Sequence, residues 1–267
     1  MLLQEHMIER VRALCQADPH VEAAMMYGSF AYGEGDEYSD IEVLLFFDND
    51  FFPALNRQQW LEQIAPVEML FVNEFGISVA IFANLIRGEF HFHTVSEVGI
   101  AQAWPGQISF PCLDATLLVD KSNHLTPFLL PLIGAPPAHN SLEQVQFVVN
   151  CFINHFLFGH NVLRRGESAR ALEMLSVVQR ELLWIARILE AQAHHWHIPA
   201  RLLEHELSPE AYARFQACTS ALEPSALGQA YRAAWMWGRD MLAQLQTEYQ
   251  LTVPQAVCAQ IDSRINH

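Results

Sequence analysis

The sequence predicts a mixed α/β domain followed by a helical bundle, and three observations carry that expectation. Strand-like and helix-like segments alternate through the first half of the chain. The middle strand candidates lie only a few residues apart, too close for helical crossovers, so part of the sheet is antiparallel. Beyond the turn-forming stretch Gly134-Ala135-Pro136-Pro137-Ala138-His139-Asn140 the patterns are helical. The expected division is therefore 1–134 and 135–267.

Taken in order, the chain opens with an amphipathic helix over 2–15. Glu5 and Glu9 fall where a signal peptide would need an apolar core, so no such peptide is expected. A strand over 22–27 leads into a glycine-rich stretch, 28–36. The next strand, 41–47, reads IEVLLFF and is apolar enough to be buried on both faces. A helix around Trp60, strands over 67–72 and 77–82, and a strand near 115–119 complete the first half. In the second half Ser141 can cap a helix running to 163, with Gly166 just past its end. Ser168 opens a long helical pattern to about 193, and Ser208-Pro209-Glu210 is a strong start for another. Further helices are expected over 226–249 and beyond Val253. No internal repeat is visible.

Composition narrows the function. A chain of 267 residues with 51% hydrophobic and 17% charged residues has enough apolar content to fold around a core. Its net charge of −15, with Lys121 the only lysine, argues against non-specific nucleic-acid binding, which needs clustered cations. The same field suits a substrate carrying a cationic amine. It would repel a bare nucleotide, which would then need divalent cations or local arginine. The five cysteines are scattered without a CxxC pair, so neither a zinc ribbon nor a disulfide framework is indicated. With no apolar run long enough to cross a bilayer, a soluble, cytoplasmic protein is expected.

The segment richest in chemistry is 27–42, YGSFAYGEGDEYSDIE. Gly28 at a strand end permits a tight turn and close backbone approach. Ser29 then stands where a helix can begin, offering its hydroxyl and backbone N–H to an anion. Asp40 and Glu42 lie at i and i+2, so both point to one sheet face about 6.6 Å apart. Two carboxylates so placed can hold hard Mg2+ ions that also contact substrate phosphates. Gly33-x-Gly35 lacks the third glycine of a dinucleotide fingerprint, and no Gly-Lys-Ser/Thr follows, which excludes a P-loop.

Gly28-Ser29, Gly33 and Ser39-Asp40-Ile41-Glu42 resemble the signature of the DNA polymerase β-like nucleotidyltransferases. Further stretches, Met25-Met26-Tyr27-Gly28-Ser29, Asn84-Leu85-Ile86-Arg87-Gly88-Glu89-Phe90-His91-Phe92, Asn161-Val162-Leu163-Arg164-Arg165-Gly166-Glu167 and Ala169-Arg170-Ala171-Leu172-Glu173, are similar to the lincosamide nucleotidyltransferases of the LinB and LinF type. The resemblance implies transfer of AMP from ATP to a lincosamide hydroxyl, with the 3-position favoured, and release of pyrophosphate. It implies Asp40 and Glu42 as metal ligands. Glu89 matches a third carboxylate, expected to act as general base on the acceptor and to help hold metal. Ser29 matches the residue that contacts nucleotide phosphates. The helical half is expected to complete the acceptor site in a homodimer. Glu42 stands where Asp is commoner in the superfamily.

Each residue has a plainer reading. Asp40 and Glu42 could be a solvated strand face, and Ser29 an ordinary helix cap. Glu89 could merely pair with Arg87, which alternation places on the same face. His91 and His93 continue that face, but imidazole suits Mg2+ poorly, so packing or substrate contact is expected of them. The run His194-His195-Trp196-His197 reads as structural, near a helix end. Arg170 is the best candidate of its loop for bidentate phosphate contact, against the alternative of a solvated helix end. Two other functions stay open: an aminoglycoside nucleotidyltransferase, and a nucleotide-binding regulatory or toxin–antitoxin module supported only by the loose spacing of Arg187 and His194.

Overall fold

The computed structural model describes residues 1–265. The chain divides into two compact units, Met1–Pro137 and Ala138–His267.

The first unit is a mixed sheet with flanking helices. Its elements are α1 (Leu3–Ala17), β1 (Val21–Met26), α2 (Gly28–Tyr32), β2 (Ile41–Phe47), α3 (Arg57–Leu61), β3 (Val67–Val72), β4 (Ser78–Phe82), β5 (Arg87–Thr94), α4 (Leu113–Thr116), β6 (Leu117–Asp120) and α5 (Thr126–Leu129). The six strands are ordered β3-β4-β5-β2-β1-β6. Only β2 and β5 run parallel; the other neighbours are antiparallel. The apolar run of β2 is the centre of the core, with Val43, Leu45, Phe46 and Phe47 wholly buried. Met7, Val11 and Cys15 of α1 are buried in the same core.

Two features depart from the sequence expectation. The stretch following Arg87 is a full central strand, and Val95–Ala103 continues it as a 3-10 helix opened by Thr94 and Glu97. The region near 115–119 is half helix: α4 comes first, and Thr116 then donates to the carbonyl of Met26 at 2.5 Å before β6 begins.

The second unit is helical: α6 (Leu142–Arg164), α7 (Ser168–Leu189), α8 (Leu203–Glu206), α9 (Pro209–Ala217), α10 (Pro224–Glu248) and α11 (Gln255–Ile265). Ser141 and Ser208 cap α6 and α9 through their side-chain oxygens. Phe152 and Phe156 of α6 pack on Trp235 of α10, with ring centroids 5.7 and 4.6 Å apart. Leu175, Val178 and Leu182 complete this core from α7.

Helix α7 stops at Leu189, short of the expected 193, and its ending explains why. Ala191 adopts φ +54°, while the N–H of Gln192 reaches back to the carbonyl of Arg187 and that of Ala191 to Ile188. This is a Schellman end with alanine where glycine usually sits, so composition gave no stop signal. Among the described residues, no helix is long and apolar enough to cross a membrane.

Candidate active site

The carboxylates of the first unit converge because of strand register. In the parallel pair, Ile41 lies opposite Gly88 and Glu42 opposite Glu89. Side chains two residues apart on a strand share a face, so Glu42 and Glu89 are neighbours on one side of the sheet. Asp40 and Arg87 extend that row by one step. The guanidinium of Arg87 forms an ion pair with both Asp40 and Glu89. Sequence alternation alone placed Arg87 beside Glu89; the bridge to Asp40 required the register.

Asp40 is held by the turn before β2. The carboxylate of Asp36 accepts from the N–H of Tyr38 at 2.9 Å and the hydroxyl of Ser39 at 2.8 Å. Gln4 of α1 donates to the carbonyls of Glu37 and Ser39, fastening the turn to the first helix.

Glu42 is the most perturbed acid of the group. Burial raises its pKa to about 7, and the nearby charges of Asp40 and Glu89 add to the rise. A backbone hydrogen bond from Ser29 and the charge of Arg87 work in the opposite direction. The N–H of Ser29, expected to face an anion, is thus engaged by Glu42, and Ser29 itself is buried. Gly28 is obligatory here. It has φ +71°, and a Cβ added to it would lie 1.4 Å from Oε2 of Glu42.

Tyr27 and His91 complete the cluster; sequence assigned Tyr27 no role and expected packing or substrate contact of His91. The hydroxyl of Tyr27 donates to Oε2 of Glu89 at 3.2 Å and lies 2.7 Å from Nε2 of His91. Burial and the charges of Glu89 and Glu42 push the Tyr27 phenol well above its usual range. Burial holds His91 below its usual value, with His93 adding to the effect. The only sequence signal for Tyr27 was its place beside Gly28, and for His91 its alternation with Glu89.

The donor set fits a hard divalent cation. It is made of carboxylate oxygens, which such ions prefer. Burial, followed by the charges of Asp40 and Glu89, disfavours Glu42 as an anion, and the charge of Arg87 offsets this only in part.

Other candidate residues lie in the helical unit. Arg170, in the first turn of α7, pairs with Glu167 at 3.1 Å and lies over the ring of Phe158. Arg187 is wholly buried and donates to the carbonyls of Pro199, Gln192 and Arg201 and to Glu206. His195 also pairs with Glu206, at 2.8 Å. These bonds fold the segment after α7 onto its last turn, which makes Arg187 a structural residue and removes the support for the regulatory or toxin–antitoxin reading.

Comparisons with known proteins match each unit to a family model. Residues 8–95 match the family model described as nucleotidyltransferase domain. Residues 141–264 match that described as lincosamide nucleotidyltransferase-like, C-terminal domain. A search of curated proteins gives no match. Among solved structures, an aminoglycoside 6-adenyltransferase from Bacillus subtilis aligns over 100% of this chain and 98% of its own, at 13% identity and a TM-score of 0.41. A nucleotidyltransferase-like protein from Exiguobacterium sibiricum aligns over 90% of this chain and 75% of its own, at 14% identity and a TM-score of 0.43. Likenesses this loose bear on no residue and no substrate.

Proposed function

Since the chain belongs to the nucleotidyltransferases, we propose that it transfers AMP from ATP to a hydroxyl of a lincosamide antibiotic, releasing pyrophosphate and inactivating the drug. The observation that carries the acceptor class is the match of residues 141–264 to the lincosamide nucleotidyltransferase-like C-terminal domain. The chemistry rests on the row Asp40, Glu42 and Glu89.

In this reading Asp40 and Glu42, with help from Glu89, hold Mg2+, which would neutralise charge on the transferred phosphoryl group and orient it. Gly28 allows close backbone approach, and Gly28 and Ser29 are the proposed nucleotide contacts of the first unit; Arg170 of the helical unit is a separate candidate for phosphate contact. Glu89 takes the proton of the acceptor hydroxyl, which is a poor nucleophile near neutral pH. Tyr27 orients that carboxylate through its hydrogen bond. The enzyme would act in the cytoplasm as a homodimer, which sedimentation of the purified protein tests.

A second acceptor class, the aminoglycosides, is favoured by one observation, the net charge of −15, which suits polycationic substrates. Purified protein with ATP and Mg2+ is offered lincomycin, clindamycin or kanamycin, and products are weighed by mass spectrometry. The lincosamides should gain an AMP group. Modification of kanamycin alone would transfer the assignment to the second reading, and no adduct on any of the three would reject both.

A further inference from the structure

The helical unit contains a cavity of about 490 Å³ bounded by three helix ends. His160, Leu163 and Arg164 project from one face of the last turns of α6, at the i, i+3, i+4 spacing that brings side chains together. Arg232 lines it from α10, and Arg264 with Ile265 from the last turn of α11. A neighbouring cavity of about 320 Å³ shares His160, Arg164 and Arg264.

The charge here runs against that of the chain. In a protein of net charge −15, several arginines elsewhere are taken up by carboxylates: Arg87 by Asp40 and Glu89, Arg187 by Glu206, Arg214 by Asp240. Within the described residues no ion pair holds Arg164, Arg232 or Arg264. The wall formed by the start of α10 presents the positive end of a helix dipole, and no side chain caps its first turn. His160 is buried against Phe156, and burial together with Arg164 and Arg264 keeps its pKa below the usual value.

We propose that this cavity binds a phosphate-bearing small molecule, gripped by Arg164, Arg232 and Arg264. Planar guanidinium groups match phosphate oxygens in bidentate fashion, which a lysine cannot reproduce. The volume lies in the range of small-molecule sites and exceeds what a lone phosphate needs. Leu163 and Ile265 offer apolar cover for an organic body attached to the phosphate. Three arginines are too few for a nucleic-acid surface on so acidic a chain. The Arg164 stretch was notable in sequence, yet nothing in the chemistry proposed for the first unit uses it. The inference does not depend on that chemistry.

The test titrates the full chain by calorimetry with inorganic pyrophosphate, and separately with AMP. Chelator is present throughout, so that the carboxylate row cannot recruit phosphate through a divalent ion. Sodium chloride at matched ionic strength is the control, and the imidazole signal of His160 is followed by NMR. Saturable binding is expected with at least one probe, together with a shift at His160. Arg164→Ala or Arg264→Ala should weaken it about tenfold or more, as loss of a charge-assisted contact implies. Gly228→Met provides a variant that leaves charge unchanged. Gly228 lines the cavity and a Cβ there meets open space, so a longer side chain fills the pocket without strain and should abolish binding. Tighter binding of AMP than pyrophosphate would identify a phosphate monoester, the reverse an oligophosphate. The proposal is overturned if neither probe binds beyond the chloride control, if the arginine and Gly228 variants bind normally, or if Asp40→Asn removes the binding.

Discussion

Glu42 on β2, half-buried, and Arg187 on α7, wholly buried, are ionisable groups drawn away from water, one in each unit, and their surroundings differ. Arg187 donates to three backbone carbonyls and to Glu206, so its charge is offset by groups its own unit supplies. Glu42 receives one backbone hydrogen bond but sits beside Asp40 and Glu89, which oppose its ionisation. Buried charge fully matched by local partners serves the fold. A carboxyl withdrawn from water and set among like charges is costly as an anion, so it takes up a proton near neutral pH unless a cation offsets it. The contrast marks Arg187 as structural and Glu42 as a candidate for chemistry.

The sharpest way to break that distinction is to remove Arg187. Arg187→Met should destabilise the chain by about 3–5 kcal/mol, since Glu206 and three carbonyls lose their donor. Arg187→Lys should recover only part, because an ammonium cannot reproduce the fork of contacts. Urea unfolding measures both, and a loss below about 1 kcal/mol in Arg187→Met would mean that this buried charge is not what holds the segment after α7.

The reverse pattern is expected in the first unit. Asp40→Asn or Glu42→Gln should lower turnover by roughly 10³-fold, matching the several kcal/mol a metal contributes to a charged transition state. Folded stability should not fall in Glu42→Gln, which relieves repulsion, and should fall by no more than about 1 kcal/mol in Asp40→Asn, which also loses the partly exposed pair with Arg87. Near-normal turnover in either variant, measured with saturating Mg2+–ATP, removes the carboxylates from the site.

How much of this was legible in the sequence follows from what sets each feature. The apolar run 41–47 and the capping serines Ser141 and Ser208 are local signals, and strand and helices formed where they indicated. The face shared by Asp40 and Glu42 follows from period two alone. The ion-paired bridge of Arg87 to Asp40 depends on the parallel register of β2 and β5, strands separated by two others in sequence, and no local pattern encodes it. Tyr27 enters the cluster only because β1 and β5 flank β2 on opposite sides. The end of α7 was missed because Ala191, not glycine, takes the left-handed conformation.

Glu89 sharpens the contrast, because it belongs to both kinds of environment: it pairs with Arg87 and also faces the acidic row. If it is the general base, Glu89→Gln should slow the chemical step by roughly 10²-fold or more with Mg2+–ATP affinity little changed. If it is chiefly a metal ligand, affinity falls with turnover. If it only pairs with Arg87, neither moves. Single-turnover rates together with nucleotide affinity separate the three outcomes, and the third removes Glu89 from the catalytic list.

The smallest effect expected is on the pH dependence of stability without metal, where the two units should respond in opposite directions. Glu42 has a folded pKa of about 7 against an ordinary value of 4.5. The folded state therefore holds its proton where the unfolded state has lost it, and stability from this group declines as pH rises from about 4.5 through 7. The full shift corresponds to roughly 3 kcal/mol at most, and the partial solvent access of Glu42 reduces it to about 1–2 kcal/mol. In the helical unit burial holds His139 and His160 below their ordinary value, so their contribution is present above about pH 6.5 and is lost as pH falls through the folded pKa. His91 behaves like these two although it lies in the first unit, so Glu42 must be isolated by difference. With chelator present, Glu42→Gln should be more stable than the parent at pH 8 and lose that advantage by about pH 5. Saturating Mg2+ should reverse the order at pH 8, since only the parent retains the full ligand set. Urea unfolding of both proteins across this range tests the assignment: a difference that does not change with pH would show that burial and the acidic neighbours do not hold the Glu42 pKa near neutrality, and would leave Arg87 sufficient to balance the row.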